Sequence, residues 1–172
     1  MTAPLCVLIV LGLMGAIDTI VYHELVARLP HDPAAPRELQ LHASRDFVYF
    51  VLFGSLAWLQ PHGTVVLLLA VLLATEIAIT LSDFIVEDRT RKLPPGERAM
   101  HAVMGITYGV FLALLFPHAA EWFAAPAGIA SASYGWISWV LSAFALGVGG
   151  SGIRDLMASQ ALARRLQETR AT

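Results

Sequence analysis

The sequence predicts an all-α fold: a polytopic membrane protein with a four-helix transmembrane bundle plus a fifth transmembrane helix. Three observations predict it. Of the 172 residues, 57% are hydrophobic, against roughly 45–50% for a soluble domain. The apolar residues lie in runs long enough for a hydrocarbon layer of ~30 Å. All eleven lysines and arginines fall on alternate connections between those runs.

The first span is expected over residues 4–22 and reads as a retained helix. It has no positive n-region and carries Asp18 late in its apolar run, unlike a cleaved signal peptide. Pro30, Pro33 and Pro36 prevent the helix from continuing through the next connection, and Pro36 suits the first turn of a new helix. The second span, 43–60, is the later part of that helix and stops at Pro61. Pro61-His62-Gly63 is a turn, and the third span covers 64–85. The charged loop after it contains Pro94-Pro95-Gly96 as its breaker. The fourth span, 99–116, is expected to stop at Pro117. A small-residue loop over 118–133, with room for a short interfacial helix (HAAEWFAA), leads to the fifth span, 134–153. Residues 154–172 form a cytoplasmic amphipathic tail, with Leu156, Leu162 and Leu166 against Arg164, Arg165 and Gln167. Spans and tail make one domain, 1–153 with 154–172 appended.

Charge gives the orientation. Arg28, Arg37 and Arg45 follow the first span; Arg89, Arg91, Lys92 and Arg98 follow the third; Arg154, Arg164, Arg165 and Arg170 follow the fifth. The turn at 60–63 and the loop at 117–133 have none. The expected location is the bacterial inner (plasma) membrane, with the N-terminus outside and the C-terminus cytoplasmic. The net charge of −2 says nothing about nucleic acid, but there is no basic stripe to bind it, so no nucleic-acid partner is expected. One cysteine, Cys6, excludes an internal disulfide framework. Gly105 and Gly109, and the row Ala143, Gly147, Ser151, are spaced for close helix packing. No repeat at a fixed period is visible.

The first four spans each carry polar groups on one helical face. These are Asp18 and Tyr22; His42, Asp46 and Tyr49; Glu76, Thr80, Asp83 and Glu87; and Glu97, His101 and Tyr108. A carboxylate at membrane depth costs roughly 2.5–3.5 kcal/mol on insertion scales, so Asp18, Glu76 and Asp83 call for a partner or a task. At 1.5 Å per residue, Asp18, His42, Asp46, Asp83 and His101 share a layer within roughly 10 Å of the cytoplasmic boundary, with Glu76 about 10 Å above Asp83. The expected arrangement is a four-helix cup open to the cytoplasm, with tyrosines around and above it. Glu24, Glu87, Asp88, Glu97 and His23 are explained by snorkelling at helix ends, although His23 could reach inward. His62 and His118 lie on the opposite side, and His31 sits in a proline-rich loop.

Imidazole with carboxylate is a ligand set for zinc or iron, and for manganese when carboxylates dominate. Helical bundles hold such ions with inward carboxylates and histidines. The expected cofactor is one or two divalent ions (iron, zinc or manganese). The ligand pool is Asp18, His42, Asp46, Glu76, Asp83 and His101, and the candidate catalytic tyrosines are Tyr22, Tyr49 and Tyr108. Such a site points to a metal-dependent membrane oxidoreductase acting on a lipid-soluble substrate. The ExxH pair of soluble di-iron bundles and the HxxHH boxes of membrane desaturases are absent.

Three alternatives use the same residues. A proton-coupled transporter or channel subunit would relay protons through Glu76 and Asp83, with a homo-oligomer supplying the symmetry that one chain lacks. A structural or partner-binding membrane protein would dock its partner through cytoplasmic loops and tail. A bis-histidine haem protein would use His42 and His101, but acid-rich surroundings argue against that. The strings DTIVYHELVARLP, RELQLHASRDFVYF and EDRTRKLPPGERAMH resemble an uncharacterised family of small bacterial polytopic inner-membrane proteins, over roughly residues 15–110. That resemblance implies a location and no activity.

Overall fold

The computed structural model describes residues 1–171, with side chains through 169; the side chains of Arg170 and Ala171 and all of Thr172 lie outside it. Five long helices form a ring. They are α1 (Thr2–Asp18), α2 (Pro36–Trp58), α3 (Val66–Thr90), α4 (Pro95–Phe123) and α5 (Trp136–Ala171). Around the ring α1 neighbours α4 and α5, α5 packs along α2, and α2 packs on α3; α3 and α4 barely touch. The core is a column of Leu5, Leu8, Leu52, Phe53, Phe111 and Leu141 at the end away from the charged loops. Many large apolar side chains point outward, among them Leu68, Ile106, Phe116 and Leu146.

Among the described residues, four segments are long and apolar enough to cross a membrane: Thr2–Val26, Gly63–Thr90, Pro95–Phe123 and Trp136–Thr169. The expected fifth, in α2, is not among them, because that helix carries Arg37, Glu38, His42, Arg45 and Asp46 in its first half. Several expected boundaries move. The first helix does not stop at 22: it continues past Asp18 as a π-helix over Thr19–Val26. The fourth does not stop at Pro117, which lies inside α4, and HAAEWFAA is largely its last turns rather than a separate interfacial helix. The tail is no separate element either. It prolongs α5, and its Leu162 packs against Leu29, Ala35 and Leu39 of the same chain.

The turn after α2 and the loop before α5 pair as a two-stranded antiparallel ribbon, β1 (Leu59–His62) on β2 (Gly128–Ser131). Gly63 closes it with φ 55°, and a Cβ there would meet the Ala127 backbone at 2.6 Å, so only glycine fits. The predicted glycine rows do not carry the packing. A Cβ on Gly105, Gly109 or Gly147 would meet nothing within 4 Å. The close approach is on α5, where a Cβ on Gly149 would come 3.0 Å from Phe50 and one on Gly152 would come 3.0 Å from Asp46. Three hydrogen bonds add to this α2–α5 contact: Trp58 Nε1 donates to Ser142 Oγ (2.8 Å), Ser138 Oγ to the Ala57 carbonyl (2.7 Å) and Ser159 Oγ to the Pro36 carbonyl (2.7 Å).

Candidate metal centre

At the end of the ring opposite the ribbon, four helices bring acids and imidazoles together. α1 and its π-helical extension supply Asp18 and His23, and α2 supplies Glu38 and His42. α3 supplies Asp83 and Glu87, and α4 supplies Glu97 and His101. All eight are buried; His101, at 9% exposure, is the most open. The contacts interlock. His101 Nε2 lies 3.3 Å from Asp18 Oδ2, and its Nδ1 lies 3.5 Å from Glu87 Oε2. His23 Nε2 lies 3.4 Å from the same Asp18 oxygen and 3.7 Å from Glu97 Oε1. His42 Nε2 lies 3.1 Å from Asp83 Oδ2 and 4.0 Å from Glu87 Oε1. The His23 and His42 rings stack at 4.4 Å with 9° between their planes.

Two guanidiniums flank the cluster. Arg45 donates to Asp83 Oδ2 at 3.0 Å. Arg91, in the loop beyond α3, grips Glu97 with two bonds (2.9 and 2.6 Å) and also reaches Glu38 (2.9 Å) and Glu87 (3.4 Å). Burial works against the charge of Arg91, but the bonds to Glu97 and Glu38 outweigh it and raise its pKa above the ordinary guanidinium value. The expected cup is therefore closed on its loop side by Arg91, not open.

Charge and hydrogen bonding both bear on whether a cation fits. With the acids ionised and the imidazoles neutral, five buried carboxylates (Asp18, Glu38, Asp83, Glu87, Glu97) face two guanidiniums, an excess of three negative charges. Asp18 Oδ1, His23 Nε2, both ring nitrogens of His42, Asp83 Oδ1 and Glu87 Oε2 are buried and make no hydrogen bond. An unsatisfied buried polar atom costs about 1–3 kcal/mol, more when charged. Several of these atoms lie within ion-pair distance of one another but off the line of a hydrogen bond, as His42 Nε2 does beside Asp83. Lone pairs that converge without bonding one another suit a shared cation. Among the described residues, two sets have ligand atoms that all lie within 4.8 Å of one another: His23, Glu87, Glu97 and His101; and Glu38, His42 and Glu87. The donor set, imidazole nitrogen with carboxylate oxygen, fits zinc, iron or manganese.

Of the residues expected as ligands, His42 and His101 fall in these sets, and Asp18 and Asp83 touch their members. Glu76 and Asp46 join neither set. Glu76 is buried nearer the ribbon, where its Oε1 accepts hydrogen bonds from Tyr49 (3.1 Å) and Thr80 (2.8 Å). Asp46 faces α5 at Gly152. Tyr108 donates to the Leu73 carbonyl at 3.4 Å, and the Tyr22 hydroxyl lies against Gly96. Of the other members, His23, Glu87 and Glu97 read in the sequence as helix-end residues that snorkel, Arg91 as a loop charge, and Glu38 has no assigned role. Glu38 and Glu97 had a usable signal, since each stands four residues before a histidine and so shares its helical face.

No protein-family model, no curated protein and no solved structure matches the chain.

A cavity of about 560 Å³ adjoins the cluster. Leu11, Phe53, Met104 and Phe144 make its wall apolar, while Asp18 and His101 line it on the cluster side and Glu76, Tyr49 and Tyr108 line it elsewhere. Its lining also includes the outward-exposed Ile77 and Leu81 of α3 and Gly105 of α4, so it opens sideways where α3 and α4 barely touch. The volume is that of a pocket for a small organic molecule.

Proposed function

We propose that this is an inner-membrane metalloprotein that carries out metal-dependent oxidation chemistry on a lipid-soluble substrate. α2 makes a fifth crossing alongside α5, and the N-terminus lies outside. The charged loops and the cluster lie on the cytoplasmic side, as the distribution of lysine and arginine supports. One observation carries the metal reading: buried imidazoles and carboxylates from four helices converge while several of their donor atoms make no hydrogen bond. Iron or manganese in that set would supply redox chemistry; zinc would supply only Lewis acidity and water activation. The protein's own part is to hold the donors rigidly and to present Asp18 and His101 to an apolar cavity with a lateral opening. A hydrophobic substrate would enter there without crossing water. Tyr49 and Tyr108 line the same cavity and are the tyrosines placed to touch it.

The proton-carrying alternative needs Glu76 and Asp83 in one relay. Glu76 is partnered by Tyr49 and Thr80, Asp83 by Arg45 and His42, and the two sets share no residue. The metal reading is tested on protein purified in detergent without chelator. Elemental analysis should find at least one equivalent of iron, manganese or zinc per chain. Less than a tenth of an equivalent, with none taken up on incubation with these ions, would refute it.

A further inference from the structure

The two ligand sets share one member, Glu87, and meet its carboxylate at different oxygens. Oε2 faces His101 at 3.5 Å, and Oε1 faces His42 at 4.0 Å. A carboxylate so placed is shaped to bridge. The two sets also have a common origin in the sequence. PRELQLH opens α2 and PGERAMH opens α4; each is Pro-x-Glu-x-x-x-His, with the proline in the first turn. The four-residue step puts each glutamate and histidine on one helix face. The acid alone is ordinary at a helix start, where it answers the helix dipole. Both side chains of both pairs are, however, buried and aimed into the same cluster. α1 and α3 each add an aspartate near their ends: Asp18 reaches His101, and Asp83 reaches His42.

Resting on the metal reading, we propose that the centre is dinuclear, with Glu87 bridging two divalent cations. One ion takes His23, Glu97 and His101, with Asp18 beside them. The other takes Glu38 and His42, with Asp83 beside them. The rings of His23 and His42, one from each set, stack at 4.4 Å, so the two sets are side by side in one cluster. The unbonded atoms divide between the two positions: His23 Nε2, Asp18 Oδ1 and Glu87 Oε2 at the first, and both ring nitrogens of His42 with Asp83 Oδ1 at the second, while Glu87 Oε1 on that side accepts from Arg91. With the carboxylates ionised and the imidazoles neutral the cluster carries three uncompensated negative charges, so one divalent cation leaves −1 and two leave +1, and either count brings the buried charge closer to zero.

The test titrates chelator-stripped full-length protein in detergent with Mn²⁺, read by elemental analysis and electron paramagnetic resonance. Two ions per chain are expected, and the mononuclear six-line signal should give way to an exchange-coupled spectrum as the second ion binds. Glu38→Gln should cut binding to about one ion per chain and leave an uncoupled signal, with His42→Ala doing the same through a different side chain. Wild-type binding of one ion, or of two that show no coupling, would overturn the dinuclear proposal and leave the metal reading standing. No binding of Mn²⁺, nor of iron or zinc in the same titration, would overturn both. The wild-type stoichiometry decides the matter even if a variant fails to fold.

Discussion

Asp18 and His23 are five residues apart in one helix, yet His23 Nε2 sits 3.4 Å from Asp18 Oδ2. In an α-helix side chains five apart diverge by about 140°. The π-helical stretch Thr19–Val26, with its Ala27 N–H bonded to the Tyr22 carbonyl, realigns them. Such turns are rare and concentrate at functional sites. His23→Ala should therefore lower affinity for Mn²⁺ by ~10-fold or more, the scale at which even outer-shell changes act. The exposed His31, altered the same way, should leave it unchanged. Equilibrium binding by elemental analysis distinguishes the two, and equal affinities would place His23 among structural residues.

Arg91 is the counter-charge of the metal-free protein. It pairs with Glu38, Glu87 and Glu97, each at most 1% exposed. Removing one partner of a buried charge pair costs about 3–5 kcal/mol, and for a chain of this size each kcal/mol moves Tm by ~2–4 °C. Arg91→Ala should thus lower the Tm of chelator-treated protein by about 6–20 °C. Added Mn²⁺ should recover much of the loss, because a cation supplies the missing positive charge. A loss that metal does not reverse would make Arg91 a purely structural clamp.

The helices and the side on which the charges gather were legible because apolar runs and arginine placement are written locally. The buried acid–imidazole cluster was legible only where α-helical spacing holds. His42 and His101 share faces with neighbouring acids and were found. His23 was hidden by the π turn. Glu87 and Glu97 resemble boundary acids, and only packing shows them buried at 1% and 0%. Glu76 joins neither set, for a different reason. Its spacing to Asp83 is right for one face, but the ~10 Å rise between them leaves it with Tyr49 and Thr80 instead. Pro117 misled the reading of α4, since a proline near a span's end usually stops a helix and here does not.

Glu76→Gln should leave metal content unchanged, since neither ligand set includes Glu76. It should still weaken the bond from Tyr49, where a hydrogen bond to a charged group contributes about 1.5–3 kcal/mol. A modest fall in Tm with full metal loading is expected. Metal lost in this variant would return Glu76 to the ligand list. Proton flux in liposomes that is present in wild type and abolished by Glu76→Gln would favour the transport alternative.

Gly105 offers a way to separate the cavity from the metal. It lines the cavity, and a Cβ there would meet nothing within 4 Å. Gly105→Leu therefore starts a side chain from open space at the cavity lining, and replacing glycine inside a helix is favourable by up to ~1 kcal/mol. Folding and metal content should be preserved. Binding of a long-chain fluorescent probe such as pyrene-decanoic acid should weaken by about tenfold, since filling an apolar pocket forfeits ~0.8 kcal/mol for each methylene it would have buried. Met157, exposed on α5 and outside the cavity lining, gives the control: Met157→Leu should bind the probe as wild type does. Equal binding by wild type and Gly105→Leu would show that apolar molecules do not reach the centre by this opening.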